Sequence, residues 1–361
     1  MIIVNLFETT TFGSIDVSNR LVMAPLTRTR TDVDGVPTDL HVEHYAQRAG
    51  FGLIVTEGTW PVLEGRTWLG QPGITTDAQI EGWRRVAQGV HDRGGRIVMQ
   101  LMHGGRIAHP SVSGGRVVAP SAVAAPGEIR TADGKAPLPV PDAMTDADIA
   151  RVVDAFRRAA RHAVEAGLDG VEVHGANGYL VHEFLATASN RRTDAYGGSI
   201  ENRVRFAVEV VSAVAAEIGA GRTGIRLSPS HNIQGVVETD TADVLATYQA
   251  LAARLAPLGL AFVDVLHVEP TCELVQTIRA RSGAPLIANT GFGVQTTRGT
   301  AAELVASGTA EAAAVGRAAL ANPDLPLRWA RGAAENTPDE STFYVGGARG
   351  YVDYPTLPAA V

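Results

Sequence analysis

Two hydrogen-bond donors and a phenol follow one apolar run of the sequence within six positions. His174, Asn177 and Tyr179 come directly after the run that contains Val171 and Val173. An imidazole and a carboxamide placed side by side can both donate to a single oxygen atom. This spacing predicts a two-point grip on an oxygen of a ligand. The alternative is that His174 and Asn177 satisfy backbone groups of a loop and that Tyr179 only packs.

Two glycine-containing turns toward the C-terminus indicate a site for a phosphate group. Thr-Gly-Phe-Gly (290–293) follows one apolar run, and Gly316-Arg317 follows the next. Glycines let backbone N–H groups approach an anion closely, and an arginine can complete the neutralisation of its charge. A ligand that carries phosphate is therefore expected there. Ordinary tight turns with a surface arginine would explain the same residues.

Two long polar side chains interrupt apolar runs at positions that would point them to the interior. Arg226 and Gln100 each stand between two apolar residues. A buried guanidinium needs an anionic or strongly accepting partner. For Arg226 this could be a ligand or a neighbouring carboxylate such as that of Glu57, and Gln100 could instead bond a backbone group. The histidines on helical segments are expected on solvated helix faces; they are His41, His44, His91 and His162.

The elements that would position these residues alternate along the chain. Eight apolar runs of β type are separated by segments of helical periodicity, which is the signature of repeated βαβ units. Eight parallel strands, each followed by a helix, predict one closed (β/α)₈ TIM barrel, in which active sites form at the carboxyl ends of the strands. The runs lie near Leu21–Ala24, Leu53–Thr56, Ile97–Leu101, Val171–Val173, Ile225–Leu227, Phe262–Leu266, Leu286–Ala288 and Ala312–Val315.

Other features of the sequence predict the start of a helix, an N-terminal hairpin, the extent of the domain and a long loop. Thr145 and Asp148 have the spacing of a capping box in front of a helix. A short N-terminal hairpin is expected over Phe7–Val17. We expect residues 1–361 to form a single domain. The segment 104–145 is rich in Gly, Pro, Ser and Ala, and it is expected to form an extended loop near the active site.

Composition and charge exclude several classes of protein. Lys plus Arg number 31 and Asp plus Glu number 38, so the formal net charge is −7, and no nucleic-acid partner is expected. The chain lacks a leader-like start and any run long enough to span a membrane, so we expect a cytoplasmic protein without a membrane partner. Cys272 is the only cysteine, which excludes an internal disulfide and an iron–sulfur cluster. Redox chemistry would therefore need an organic cofactor.

Four longer segments are specific when they are taken together. They are Asn-Arg-Leu-Val-Met-Ala-Pro-Leu-Thr-Arg (19–28), Gln-Leu-Met-His-Gly-Gly-Arg (100–106), Glu-Val-His-Gly-Ala-Asn-Gly-Tyr-Leu (172–180) and Ser-Asn-Arg-Arg-Thr-Asp-Ala-Tyr-Gly-Gly-Ser-Ile-Glu-Asn-Arg (189–203). With them the chain resembles the Old Yellow Enzyme family of FMN-dependent ene-reductases over essentially its whole length. Residues 342–355 are similar to the branch that includes pentaerythritol tetranitrate reductase, morphinone reductase and N-ethylmaleimide reductase.

The resemblance implies which residues bind the cofactor and which bind the substrate. It implies substrate contacts at Met102, His267 and Tyr351, and no metal site. Met102 departs from the family, which often carries tryptophan after Gln-Leu, so the shape of the substrate pocket is expected to differ. The implied FMN contacts are Ala24, Pro25, Leu26, Thr27, Gly58, Gln100, Arg226, Asn289, Gly291, Phe292, Gly316 and Arg317.

The resemblance also implies the reaction. Non-covalently bound FMN, reduced by NADPH or NADH in the same pocket, would reduce the activated double bond of an α,β-unsaturated carbonyl compound. His174 and Asn177 would donate to the carbonyl oxygen, and Tyr179 would deliver the proton. Reduction of nitroesters or nitroaromatics, or redox isomerisation, would use the same scaffold. A flavin-free lyase or isomerase that binds phosphorylated substrates, or a passive carrier, would also be compatible with parts of the pattern. A monomer or homodimer is expected.

Overall fold

A closed barrel of eight parallel strands forms the centre of the computed structural model, which describes residues 5–358. Each strand pairs with the next along the chain, and the eighth pairs with the first. Every strand lies within two residues of its predicted run, and the predicted (β/α)₈ barrel is confirmed. The strands are β1 Leu21–Met23, β2 Leu53–Val55, β3 Ile97–Leu101, β4 Gly170–Gly175, β5 Thr223–Leu227, β6 Phe262–Leu266, β7 Leu286–Asn289 and β8 Ala312–Val315.

A helix follows each barrel strand, and the apolar faces of these helices cover the outside of the barrel. The helices are α1 Asp39–Ala46, α2 Asp77–His91, α3 Asp146–Glu165, α4 Ile200–Ile218, α5 Thr241–Leu255, α6 Glu273–Ser282, α7 Arg298–Ala306 and α8 Leu325–Arg331. Shorter helices are Pro110–Ser113, Leu180–Leu185 and Arg317–Ala321, and 3-10 turns are Leu63–Gly65, Ala220–Arg222, Ala256–Leu258 and Glu340–Thr342.

Helix α3 begins where the sequence predicts. The Asp148 backbone N–H donates to the Thr145 hydroxyl oxygen over 3.2 Å, and the Thr145 backbone N–H donates to the Asp148 carboxylate over 2.9 Å. Two N–H groups that the first helical turn leaves without partners are thereby satisfied. Among residues 5–358, no helix is both long and apolar enough to cross a membrane.

The amino-terminal end of the barrel is closed by the predicted hairpin. Its strands, Thr10–Phe12 and Ile15–Val17, pair antiparallel. Phe12 enters the barrel and meets the Phe262 ring edge to face, with the centroids 5.9 Å apart. An apolar plug therefore fills the amino-terminal half of the barrel interior, and it includes Val22, Leu53, Val98 and Ile287. Polar inward side chains are left to the opposite, carboxyl-terminal half.

The insertion between β3 and α3 has secondary structure of its own, although a loop was expected. After the short helix Pro110–Ser113, strand Val118–Ala119 pairs with Asp142–Ala143. Between them, Glu128–Thr131 and Gly134–Pro137 form an antiparallel hairpin. Arg130 of this hairpin lines the cavity described below. The insertion thus reaches the carboxyl ends of the strands.

Candidate active site

One large cavity lies at the carboxyl ends of the barrel strands. Its volume is about 1190 Å³, which exceeds the roughly 300 to 1,000 Å³ of a typical small-molecule site. It therefore has room for a cofactor and a second molecule. Most residues singled out from the sequence line it: Ala24, Pro25, Leu26, Thr27, Gln100, Met102, His174, Asn177, Tyr179, Arg226, Asn289, Gly291, Phe292, Gly316 and Arg317.

Three residues that were expected as contacts are not among those that line the cavity. Gly58 lies behind Met102, and a Cβ at this glycine would come within 2.6 Å of the Met102 sulfur. The His267 imidazole is turned back onto its own loop, where Nδ1 lies 3.0 Å from the Glu269 carbonyl oxygen. Tyr351, within the C-terminal segment 342–355, is fully buried. Its ring stacks on His44 at a centroid distance of 3.9 Å.

Tyr344 is the tyrosine of the C-terminal segment that lines the cavity. The side chain of Tyr344 is 63% exposed and lines the cavity together with Phe343 and Val345. The segment 342–355 carries three tyrosines, and its resemblance to the family does not by itself tell which one faces the ligand. Trp68, Gln234 and Arg130 also line the cavity and were not predicted. All three lie outside the four specific segments; Arg130 falls in the 104–145 insertion that was expected near the active site, whereas no signal in the sequence marks Trp68.

His174 reaches the cavity from the end of β4 as a neutral imidazole. Its side chain is buried, and its Nδ1 atom has no hydrogen-bond partner among the residues described. Burial, together with the positive charge of Arg226, holds the pKa of His174 well below its usual range. A neutral imidazole carries one N–H donor and one acceptor nitrogen. His174 can therefore donate a hydrogen bond to a ligand without bringing a charge.

Asn177 is held by its backbone, which leaves its side chain available. It adopts a left-handed conformation with φ +57°, which asparagine tolerates better than most residues. Its N–H donates to the Ser228 hydroxyl oxygen over 2.7 Å, and its carbonyl accepts from Gln234 Nε2 over 2.7 Å. The next N–H, of Gly178, donates to His182 Nδ1 over 3.0 Å. These bonds fix the turn, while the carboxamide lines the cavity.

Tyr179 places a protonated phenol on the same wall. Its ring centroid lies 5.1 Å from that of His174. Burial raises the pKa of Tyr179, and the nearby polar groups of Gln234 and Trp68 oppose that shift only in part. The hydroxyl therefore keeps its proton through the physiological range. A retained proton beside two hydrogen-bond donors is the arrangement that general-acid chemistry needs.

The floor of the cavity is formed by two hydrogen-bonded pairs on four strands. Arg226 on β5 forms an ion pair with Asp264 on β6, and both side chains are buried. Gln100 on β3 donates from Nε2 to the Glu172 carboxylate on β4 over 2.8 Å. Glu57, the alternative partner of Arg226, instead accepts from the backbone N–H groups of residues 28 and 29. The inward orientation predicted for Gln100 and Arg226 agrees with this arrangement.

The two glycine turns lie together at one end of the cavity. Gly291 has φ +97°, and its N–H donates to the Asn289 side chain over 2.8 Å. Gly316 precedes Arg317, whose side chain is 39% exposed and lies 3.9 Å from the Glu340 carboxylate. Arg317 also lines the cavity, so its guanidinium can meet an anion there. The donor set of this end, backbone N–H groups and one guanidinium, fits a phosphate.

A second buried polar region, which we term the arginine cluster, lies beside the cavity. It consists of Arg28, Arg30 and Arg48 around Tyr351, with the Arg28 and Arg30 guanidinium carbons each 5.0 Å from the Tyr351 ring centroid. His41 and His44, expected on a solvated face, are fully buried here. His91 and His162 are half-buried, and each has a hydrogen-bond partner. Residues 5–358 contain no group of three or more His, Cys, Asp or Glu side chains that could hold a metal ion.

Comparison with known proteins gives consistent matches over almost the whole chain. Residues 5–336 match the model of the NADH:flavin oxidoreductase / NADH oxidase family. A protein of Leishmania infantum described as "Probable flavin mononucleotide-dependent alkene reductase" is 44% identical over 96% of this chain and 95% of its own. The 12-oxophytodienoate reductase 1 of Oryza sativa subsp. japonica is 37% identical over 96% of this chain and 91% of its own.

Solved structures show the same similarity in three dimensions. The Old Yellow Enzyme homologue from Zymomonas mobilis superposes with a TM-score of 0.93 at 42% identity, covering 98% of this chain and 100% of that one. Morphinone reductase in complex with tetrahydroNAD superposes with a TM-score of 0.92 at 43% identity, covering 99% of this chain and 98% of that one.

Proposed function

Because this chain belongs to the NADH:flavin oxidoreductase / NADH oxidase family, we propose that it is an FMN-dependent ene-reductase. Its substrates would be α,β-unsaturated carbonyl compounds, and its electrons would come from NADPH or NADH. The resemblance to the Old Yellow Enzyme family is confirmed by the relatives and structures described above. We further propose that residues 1–361 form one FMN-binding domain with the 104–145 insertion at its active site, working in the cytoplasm as a monomer or homodimer.

The residues of the cavity fit FMN. The turns at Asn289–Gly291 and Gly316-Arg317 would hold its phosphate, because they supply backbone N–H donors and the guanidinium of Arg317. Gln100 and Arg226 would donate to one carbonyl at the pyrimidine edge of the flavin ring. Thr27 would donate to the second carbonyl of that ring. When bound, FMN supplies the hydride that the substrate receives and takes electrons from the nicotinamide. The chain itself contributes orientation and electrostatics.

The observation that carries the proposal is the wall formed by His174, Asn177 and Tyr179. The neutral imidazole of His174 and the free carboxamide of Asn177 can both donate to one carbonyl oxygen of the substrate. Such a grip withdraws electrons from the conjugated system and holds the substrate in a reactive orientation. Tyr179, which keeps its proton, would protonate the α-carbon. A passive carrier would need none of the three.

We propose that the nicotinamide and the enone use the same cavity in turn. No strand of the sequence is followed by the Gly-x-Gly-x-x-Gly turn of a dinucleotide-binding domain. The solved morphinone reductase complex contains tetrahydroNAD, a nicotinamide analogue. A shared site leads to alternating reduction and oxidation, and excess enone should then inhibit competitively against the nicotinamide. A sequential kinetic pattern without this inhibition would contradict the shared site.

Anaerobic titration of the purified yellow protein tests the proposed function. We expect NADPH or NADH to bleach the flavin absorbance, and 2-cyclohexenone or N-ethylmaleimide to restore it with formation of the saturated product. A nitroester added in a parallel sample distinguishes nitro-group reduction by its product. Protein that stays colourless after incubation with FMN would refute the proposal. So would a bleached flavin that no enone reoxidises.

A further inference from the structure

Two carboxyl groups meet in the floor of the cavity with a single positive charge between them. Glu172 and Asp264 are both fully buried, and they lie close enough to share a hydrogen bond. Arg226 pairs with Asp264, whereas Glu172 accepts only from the neutral amide of Gln100. Two buried carboxylates beside one guanidinium would leave one negative charge without a partner, which is costly because both side chains are removed from solvent.

The carboxylate oxygens of Glu172 and Asp264 also indicate that one negative charge has no partner. Glu172 Oε2 and Asp264 Oδ1 have no hydrogen-bond partner among the residues described. Two carboxylate oxygens that face each other repel, but one proton between them turns the repulsion into a hydrogen bond. Glu172 is the residue to carry that proton, because its partner Gln100 is uncharged and the partner of Asp264 is a guanidinium. Protonated Glu172 then donates to Asp264.

Among the residues that the structure describes, those that face Glu172 bring no charge besides those of Arg226 and Asp264. Gln100 faces it from β3, Arg226 from β5 and Asp264 from β6, while His174 on its own strand is held neutral by burial. Toward the amino-terminal end of the barrel, the space next to this group is filled by the apolar plug. Glu57 on β2 is turned away, toward the backbone of residues 28 and 29. Burial, and then the charge of Asp264, raise the pKa of Glu172 to about 8.

We propose that Glu172 is a positioning residue that holds a proton against Asp264, and that this proton keeps the cavity floor electrically neutral beneath the predicted flavin contacts Gln100 and Arg226. The inference rests on the proposed FMN binding, but it does not depend on which substrate is reduced. Ionised Glu172 would add a negative charge beside the ring edge where a flavin gains negative charge on reduction. Bound FMN would then be harder to reduce.

When the pH is high, reduction of bound FMN should therefore be accompanied by uptake of a proton at Glu172. Below the ionisation of Glu172, two-electron reduction of bound FMN would bring one proton to the flavin and none to Glu172, whose carboxyl already holds one. Above it, the same two electrons favour the return of one additional proton from solvent to the Glu172 carboxylate. The midpoint potential of wild-type protein should then fall more steeply with pH across this range than that of a variant that cannot ionise there.

The variant Glu172→Gln tests this directly. Its amide oxygen can still accept from Gln100, and its NH₂ group can donate to Asp264 as the protonated acid does. Midpoint potentials of bound FMN are measured between pH 6 and pH 10 by titration with dithionite against reference dyes. We expect the midpoint potentials of wild type and Glu172→Gln to coincide at pH 6. From pH 9 upward, the potential of Glu172→Gln should be the more positive. A variant already more positive at pH 6, or parallel to wild type throughout, would overturn the inference.

Glu183→Gln is the matched control. Glu183 is equally buried, burial raises its pKa to about 8, and it accepts from the Arg106 backbone N–H over 2.9 Å, outside the cavity lining. Its potentials should follow those of wild type at every pH. Because dithionite supplies the electrons, this result is independent of enone turnover. Failure of the proposed function and failure of the inference are therefore distinguishable.

A second measurement tests the proton in flavin-free protein. A carboxyl whose pKa is raised from about 4.3 in the unfolded chain to about 8 in the fold contributes stability that is complete at low pH and is lost as pH rises through the folded value. The free energy of unfolding of wild type should thus fall between pH 5 and pH 8. The free energies of unfolding of Glu172→Gln and Glu183→Gln should each fall less over the same range. Equal slopes for Glu172→Gln and wild type would mean that Glu172 holds no proton.

Discussion

The wall of the cavity and the arginine cluster are both buried and polar, yet their side chains have different partners. In the cluster, every guanidinium nitrogen of Arg30 and of Arg48 donates to a backbone carbonyl oxygen. Four of the acceptors of Arg30 belong to the C-terminal segment, at residues 342, 343, 345 and 347. On the wall, His174 Nδ1 and Asn177 Oδ1 have no partner among the residues described.

This difference distinguishes Arg30 and Arg48 from the wall residues, but it does not extend to the whole cluster, because Arg28 Nη1 and the Tyr351 hydroxyl also have no hydrogen-bond partner among the residues described. Arg30 and Arg226 are both buried arginines, but Arg30 fastens the chain to itself and Arg226 lines the cavity. The cluster fixes the segment that carries Tyr344 and Val345 over the cavity, so its contribution to the site is indirect. Substitutions in the two regions should accordingly affect different measurements.

The largest effect is expected for Asn177→Asp, which removes the donating amide but keeps the side-chain size and tolerates the left-handed backbone. We expect kcat/KM for an enone to fall about 10²- to 10³-fold, as for the loss of one donor to a developing negative charge. FMN content should be unchanged. Asn232→Asp is the control, because Asn232 has φ +50° and is not among the residues that line the cavity. A similar loss in both variants would contradict the proposed grip on the substrate.

A smaller loss is expected for Tyr179→Phe. Removal of a general acid should slow the oxidation of reduced enzyme by a weakly activated enone about 10²-fold, whereas reduction by NADPH should change little. Stopped-flow absorbance of the flavin measures both half-reactions in the same preparation. An equal loss in the two half-reactions would argue against Tyr179 as the proton donor and favour a packing role.

The smallest effect on activity is expected in the arginine cluster, where Arg30→Met should act on stability. The carbonyls of residues 342, 343 and 345 would lose buried donors, at a cost of about 2 kcal/mol in the free energy of unfolding. KM for the enone should rise as the segment that carries Tyr344 loosens. The control Arg349→Met removes a guanidinium of the same segment that is 72% exposed and bonded to Asp339, and it should change stability by less than about 0.5 kcal/mol. Equal losses would mean that the cluster does not hold the segment.

Much of the site could be predicted because its residues directly follow the strands that carry them. The runs at β4, β5 and β8 place His174, Arg226 and Gly316 at the carboxyl end of the barrel, once the barrel is inferred. Helix α1 shows where this reasoning fails. His41, His44 and Tyr45 recur at the spacing of a buried helix face, but histidine was taken for a solvated residue. Burial there depends on Tyr351, which is more than 300 residues away in the chain.

The sequence by itself determined the barrel strands, their order and the residues at their ends, because strand alternation, helical periodicity and capping boxes depend on residues a few positions apart. Only the tertiary structure decided that Arg226 pairs with Asp264 and not with Glu57, and that Tyr344 and not Tyr351 reaches the cavity. Such choices depend on the packing of distant segments, since a buried polar group takes whichever partner the fold brings within hydrogen-bond distance.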